Sequence, residues 1–271
     1  MTHEYDAIIA TARRIALEAG AIQMRYFRKL ESYEKKGHID LVTIADRESE
    51  ELIHREILHA FPDHAVLGEE GGRYGAEQSD YLWIVDPLDG TTNYAHGLRL
   101  FAVSIGVSFR GQIIAGVVYA PALDELYTAT RGGGAFRNLQ RIHVSERDKL
   151  EDALLVTGFP YDRAAHVKPL MTMLGECIKS SRGILRLGAA SLDFAMVAAG
   201  HLDGFYEYGL RPWDMAAGAL LVEEAGGRVT GFAKDEKFDL FGKRSVASNG
   251  RIHDELLRAI TCEGGALTFP A

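Results

Sequence analysis

Apolar residues recur at helical spacing in Ile8, Ala12, Ile15, Ala19, Ile22, Tyr26 and Leu30. That period predicts a long amphipathic helix over 4–30 with its stripe against a core. The pattern then breaks: 31–41 is polar and charged, holds Lys35, Lys36 and Gly37, and reads as an exposed loop or hairpin. Thr43 is suited to cap a second helix to about residue 61, with Pro62 as its stop. Ala65-Val66-Leu67 reads as a short buried strand ending in the turn Gly68-Glu69-Glu70-Gly71. A second apolar run, 81–85, stops at an acid, a proline and another acid. Pro87 has no N–H for a ladder and pushes Asp86 toward extended geometry, so the strand is expected to end there. Gly90 lets the backbone turn tightly, and Thr91 and Thr92 suit a helix start.

Downstream, 101–109 and 112–119 flank Arg110-Gly111 as a hairpin, and 125–130 adds another strand, so 101–144 reads as an antiparallel meander. Arg131-Gly132-Gly133-Gly134 has neither the Lys-Ser/Thr nor the helix of a phosphate loop and reads as a tight turn. Beyond it the texture changes. Strands are expected at 153–157, 184–187, 202–208 and near Arg228 and Ser245, and helices at 167–178, 190–199, from Trp213 to near Gly226, and 252–260. Strands alternating with helices argue for α/β layers. The chain thus divides into an antiparallel-rich half, about 1–148, and an alternating half, about 149–271, in one compact body with no repeat or linker.

Composition narrows the class. The 271 residues, 47% hydrophobic and 25% charged, are ordinary for a soluble globular protein with a sizeable core. A formal net charge of −8 argues against non-specific binding to nucleic acid or an anionic membrane. Cys177 and Cys262 match no zinc spacing and are expected as reduced, structural thiols. With no signal pattern and no apolar run of the ~18 residues a span needs, a cytoplasmic protein is expected.

The chemistry gathers at element ends. Glu69, Asp86 and Asp89 stand at strand ends, and Asp214 stands at the start of an apolar helix. An Asp-Pro-x-Asp-Gly string also makes a good turn, Glu69-Glu70 could be a solvated one, and Asp46 suits a helix's first turn through the dipole alone. An acid held by core packing, however, is costly unless a cation pairs with it. Mg²⁺ prefers carboxylates, carbonyls and water, and a helix start offers N–H groups to an anion. Together these features point to metal-assisted phosphate chemistry.

The stretch Trp83 to His96, reading W-I-V-D-P-L-D-G-T-T-N-Y-A-H, resembles the first signature of the inositol monophosphatase family. The stretch Trp213 to Gly227, reading W-D-M-A-A-G-A-L-L-V-E-E-A-G-G, resembles its second, and Gly68-Glu69-Glu70 lies upstream at the family's distance. The resemblance implies an αβαβα sandwich and a Mg²⁺-dependent phosphatase, with water attacking in line and no phospho-enzyme. It implies Glu69, Asp86, the Leu88 carbonyl, Asp89 and Asp214 as ligands of two ions, with a third, looser ion near Glu69. Thr91 with Asp46 would activate the water, and the N–H groups of Gly90 and Thr91 would receive phosphate. Glu207 would bond substrate hydroxyls, and Gly188 and Ala190 would line the same pocket. Asp89 and Asp214 would also face the substrate. Arg186 stands where bacterial relatives often carry two basic residues, but Leu185 takes the preceding position. Li⁺ inhibition and a homodimer are further implications.

A haloacid-dehalogenase reading fails because its acids are two residues apart and these are three apart. Fructose 1,6-bisphosphate and histidinol phosphate remain alternatives to inositol 1-phosphate. The stretches Thr157-Gly158-Phe159-Pro160-Tyr161 and Gly188-Ala189-Ala190 resemble a bacterial branch whose members bind transcription antitermination machinery, so a protein partner is a non-enzymatic alternative.

Overall fold

The computed structural model describes residues 2–29, 34–35, 41–233 and 235–261. The sequence opens with helix α1 (Thr2–Tyr26), and the short pair β1 (Glu34–Lys35) and β2 (Leu41–Val42) leads to α2 (Ile44–Ala60). Strands β3 (Ala65–Gly68), β4 (Gly72–Gly75) and β5 (Tyr81–Asp89) precede the five-residue helix α3 (Thr91–Ala95). The meander follows as β6 (Ala102–Phe109), β7 (Gln112–Ala120), β8 (Glu125–Thr130), β9 (Gly134–Arg137) and β10 (Gln140–Arg141). The second half runs β11 (Leu154–Thr157), α4 (Val167–Ser180), β12 (Gly183–Leu185), α5 (Ala190–Ala198) and β13 (Gly204–Tyr208). It closes with α6 (Pro212–Glu224), β14 (Arg228–Thr230), β15 (Arg244–Ser248) and α7 (His253–Thr261).

An eight-stranded sheet has the order β10-β9-β8-β7-β6-β5-β3-β4, antiparallel except where β3 runs parallel to β5. A five-stranded sheet, β12-β11-β13-β15-β14, is parallel across its first three strands and antiparallel at β15. Helices α1 and α2 cover the outer face of the large sheet, α5 and α6 fill the space between the sheets, and α4 and α7 cover the far face of the small one. Five alternating layers result, the sandwich that the family resemblance implies.

Apolar seams hold these layers. Helix α6 is buried from Met215 to Val222, as a helix between two sheets must be, and this explains its lack of a polar stripe. Its small side chains permit close approach. A Cβ on Gly106 of β6 would stand 2.4 Å from the Ala216 Cβ, and one on Gly116 of β7 would stand 2.8 Å from the Ala217 carbonyl oxygen. Phe194 of α5 and Phe205 of β13 meet edge to face at 4.7 Å in the same seam.

Two expectations shift, at α1 and at β5. Helix α1 ends at Tyr26 rather than residue 30, where Arg28 turns left-handed (φ 61°) and donates to the Gly97 carbonyl. Strand β5 continues past Asp86 to Asp89. Asp86 pairs with Ser104 and Asp89 with Ala102, so β5 carries one extra residue in a bulge. Pro87 sits in that bulge, where its missing N–H breaks no ladder bond. Helix α4 buries Leu170, Met173 and Cys177, while Val167, Met171 and Ile178 face outward. Strand β4 has no counterpart in the apolar pattern: Gly-Arg-Tyr-Gly carries no alternation. Lys36, Cys262 and the tip of the 31–41 segment lie outside the described residues.

Candidate active site

The β5 bulge and the turn after it build one wall of a cleft. Gly90 adopts φ 87°, open to glycine and strained for other residues, and sends the chain from β5 straight into α3. A Cβ there would meet the Leu100 carbonyl at 2.9 Å and the Ala189 Cβ at 3.1 Å. Glu69 comes from the turn after β3, pinned to β5 through its N–H to the Val85 carbonyl (3.2 Å). Asp214 comes from the first turn of α6, whose start is tied to β6 by Ser104 Oγ donating to the Trp213 carbonyl (3.0 Å).

Carboxylate oxygens of Asp86, Asp89 and Asp214 all lie within 4.8 Å of one another. Glu69 stands outside that triplet but lines the same cleft, with Leu88, Gly90 and Thr91, in a cavity of about 420 Å³. Burial, then the charges of Glu69, Asp89 and Asp214, push the Asp86 carboxyl far above the usual carboxylate range. Asp214 is raised by burial and by Asp89 and Glu69. Burial raises Asp89 too, although hydrogen bonds from Ser191 oppose it. The Asp89 carboxylate accepts the N–H of Ala190 (3.2 Å), the N–H of Ser191 (2.7 Å) and the Ser191 hydroxyl (2.6 Å), so it caps α5. Mutually repelling buried oxygens at this spacing suit a hard divalent cation, which favours the ionised form of each.

Asp46 and Asp214 occupy equivalent places in two helices. Each is the third residue of its helix and accepts the N–H of the residue before it: Thr43 for Asp46 (2.8 Å) and Arg211 for Asp214 (2.6 Å). Such a cap contributes about 1 kcal/mol, less than the several kcal/mol that burial of a carboxylate costs. The cap therefore does not explain why Asp46 is only 1% exposed. Its other oxygen meets the Thr91 hydroxyl at 3.0 Å, and burial lifts its pKa to about 6.

The remaining expected residues lie around the cleft rather than on its lining. Gly188 packs behind Gly90, and the Ala190 N–H is spent on Asp89. Glu207 of β13 is half-buried beside Gly158, its pKa pushed to about 8 by burial, with Arg186 opposing and Asp89 adding to the shift. Asp193 of α5, 1% exposed, faces the same charges, and neither of its oxygens has a hydrogen-bond partner among the described residues.

The outer cleft was not legible in advance. Asp162, Tyr208, Arg211 and Lys243 line it alongside Tyr161 and Trp213. Arg211 had a signal, since it directly precedes Pro212-Trp213-Asp214. Lys243 had none: it sits in the loop just before β15, and the pairing of Arg244 with Tyr208, with the Leu210 N–H donating to the Lys243 carbonyl (3.1 Å), brings it to the cleft.

Five α/β layers with buried acids gathered at strand ends define a metal-dependent class of phosphatase. The model of the inositol monophosphatase family matches residues 4–265. An inositol-1-monophosphatase of Mesorhizobium japonicum is 44% identical over 258 residues, covering 94% of this chain and 96% of that protein. The Nus factor SuhB of Pseudomonas aeruginosa is 45% identical over 255 residues, 92% of this chain and 94% of its own length. The crystal structure of the extragenic suppressor protein suhB of Bartonella henselae superposes with a TM-score of 0.90 at 42% identity, covering 94% and 99% of the two chains. The chain belongs to the inositol monophosphatase family, and it is a phosphatase of that family.

Proposed function

We propose that the protein hydrolyses a phosphate monoester, with inositol 1-phosphate as the preferred substrate, in a Mg²⁺-dependent reaction without a phospho-enzyme. The observation that carries this reading is the convergence of Asp86, Asp89 and Asp214 oxygens within 4.8 Å of one another in the cleft. Asp86, Asp89, Asp214, Glu69 and the Leu88 carbonyl would hold two to three Mg²⁺ ions. Bound there, Mg²⁺ supplies charge neutralisation for the phosphoryl oxygens and acidifies water. Li⁺ is expected to compete for one of these positions and inhibit.

The chain's own groups orient and move protons. The single Thr91 hydroxyl proton has two acceptors, Asp46 Oδ1 and the Leu88 carbonyl, each at 3.0 Å. With that proton directed at Asp46, the Thr91 oxygen presents a lone pair to a water in the cleft. Asp46, with a pKa of about 6, is poised to take up the proton near neutral pH. The N–H groups of Gly90 and Thr91 would receive phosphate oxygens, and of the three residues beside the lining, Gly188, Ala190 and Glu207, the long side chain of Glu207 would reach the alcohol portion. Phosphate release from inositol 1-phosphate, fructose 1,6-bisphosphate and histidinol phosphate, compared at equal concentration, tests the substrate. A rate for inositol 1-phosphate no higher than for the others overturns it.

A bisphosphate substrate is the second reading, favoured by Arg211 and Lys243 on the cleft lining, outside the acid triplet. For assembly, a cytoplasmic homodimer is proposed. Val167, Met171 and Ile178 (53%, 46% and 62% exposed) share one face of α4, beside Leu185 on the edge strand β12. No described helix is long and apolar enough to cross a membrane. The name of the Pseudomonas relative supports testing a transcription antitermination partner, by co-purification with elongation factors.

A further inference from the structure

Helix α2 serves the cleft twice. One and two turns beyond Asp46, Glu50 and His54 lie against the end of β3, only 6% and 8% exposed. Glu50 Oε1 accepts the N–H of Glu70 at 3.0 Å and of Gly71 at 3.2 Å. A Cβ on Gly68 would stand 2.2 Å from that same oxygen and 2.7 Å from His54 Nε2, so the bare glycine leaves the space that the ends of these two α2 side chains occupy. His54 packs its ring on Tyr74 at 4.2 Å and holds Nε2 3.7 Å from Glu50 Oε1, filling the space behind the carboxylate.

These contacts bracket Glu69. Its own N–H is fixed to β5 through Val85, and the next two N–H groups are fixed to α2 through Glu50. The backbone on either side of Glu69 is thereby tied to two different layers, while its side chain reaches the cleft. We propose that Glu50 is a positioning residue for Glu69, and that its hydrogen bonds to the Glu70 and Gly71 amides set metal affinity in the cleft. The proposal rests on the reading of Glu69 as a metal ligand. Groups behind a ligand that fix its orientation alter affinity without touching the ion. The role belongs to the acceptor oxygen rather than the charge: an amide oxygen at the same place can accept both N–H groups, whereas a shorter carboxylate cannot reach them.

The test titrates Mg²⁺ alone by calorimetry into the full chain and into E50Q, E50D and E69Q, with hydrogen exchange read at the 70 and 71 amides. E50D is expected to weaken binding by about 10–100-fold and to speed exchange at both amides. E50Q should stay near wild type in both readouts. The reverse order, with E50Q the weaker binder, would show that charge alone matters and overturn the proposal. Unchanged affinity in E50D would overturn it as well. Should wild-type protein bind no Mg²⁺, the metal reading itself falls; should E69Q bind like wild type, Glu69 is no ligand although the Asp86, Asp89 and Asp214 site stands; either result overturns this proposal. Thermal unfolding of each variant identifies any that fails to fold; weakened binding in a folded E50D is the supporting result, and should E50D not fold, weakened binding in E50Q still overturns the proposal.

Discussion

Thr91 Oγ1 lies 3.0 Å from Asp46 Oδ1, joining the first residue of α3 to the first turn of α2 across 45 positions of sequence. Both side chains are at least nine-tenths buried. If the pair moves the proton of the attacking water, Thr91→Val and Asp46→Asn should each lower kcat by about 10²–10⁴-fold while KM changes little. The amide oxygen introduced by Asp46→Asn can still accept the Thr43 N–H, so the helix cap survives as a control. Steady-state kinetics with kcat unchanged in both variants would contradict this role.

Protonation of the site also predicts how stability depends on pH. Glu207 holds its proton to about pH 8 in the folded chain, against about 4.3 when unfolded. Asp86 and Asp214 are shifted in the same direction. Between pH 6.5 and 8 the folded state therefore binds more protons than the unfolded one, and stability falls as pH rises. Burial holds His54 and His253 down at about 4 against about 6.5 when unfolded, so they contribute with the opposite sign, stability being lost as pH falls, and this fades above about 6.5 while the Glu207 contribution grows toward pH 8. In chelator, the melting temperature should be lower at pH 8 than at 6.5. Mg²⁺ should shrink that difference, because it binds the ionised folded state. A melting temperature that rises over the same interval in chelator would refute the assignment.

Lys243 and Arg211 separate the substrate readings. If they meet a second phosphate, Lys243→Ala should raise KM for fructose 1,6-bisphosphate by about tenfold, the loss of one charge-assisted hydrogen bond, and leave the inositol 1-phosphate KM unchanged. An equal effect on both substrates would remove the bisphosphate reading.

The outward stripe on α4 predicts assembly. Met171→Glu places a charge among Val167, Ile178 and Leu185 and should turn a dimer into monomer by light scattering. A wild-type chain that is already monomeric at micromolar concentration would dismiss this surface.

Much of this architecture was legible because its signals are local. Thr43 with Asp46 marks a helix start, Arg110-Gly111 a hairpin, and Pro87 an interrupted ladder, each within a few residues. The proline's meaning was harder to read: a strand can pass through it if a bulge absorbs the missing donor, and the bulge depends on the partner strand β6. The four acids stood out because acids next to apolar runs cost energy without a cation. Lys243 could not be found, since a loop lysine acquires a role only when tertiary packing delivers it to the cleft. Glu50 was hidden for a related reason. Its partners are main-chain N–H groups 20 and 21 residues away, which leave no trace in residue type beyond Gly68.

The central claim is that the carboxylates of Asp86, Asp89 and Asp214 make a metal-dependent phosphatase centre. Its most direct test is phosphate release from inositol 1-phosphate with and without Mg²⁺, by wild-type chain and by Asp86→Asn. The account predicts turnover that requires Mg²⁺ and disappears in Asp86→Asn while the variant stays folded. Turnover that persists in chelator, or that survives Asp86→Asn, would contradict it.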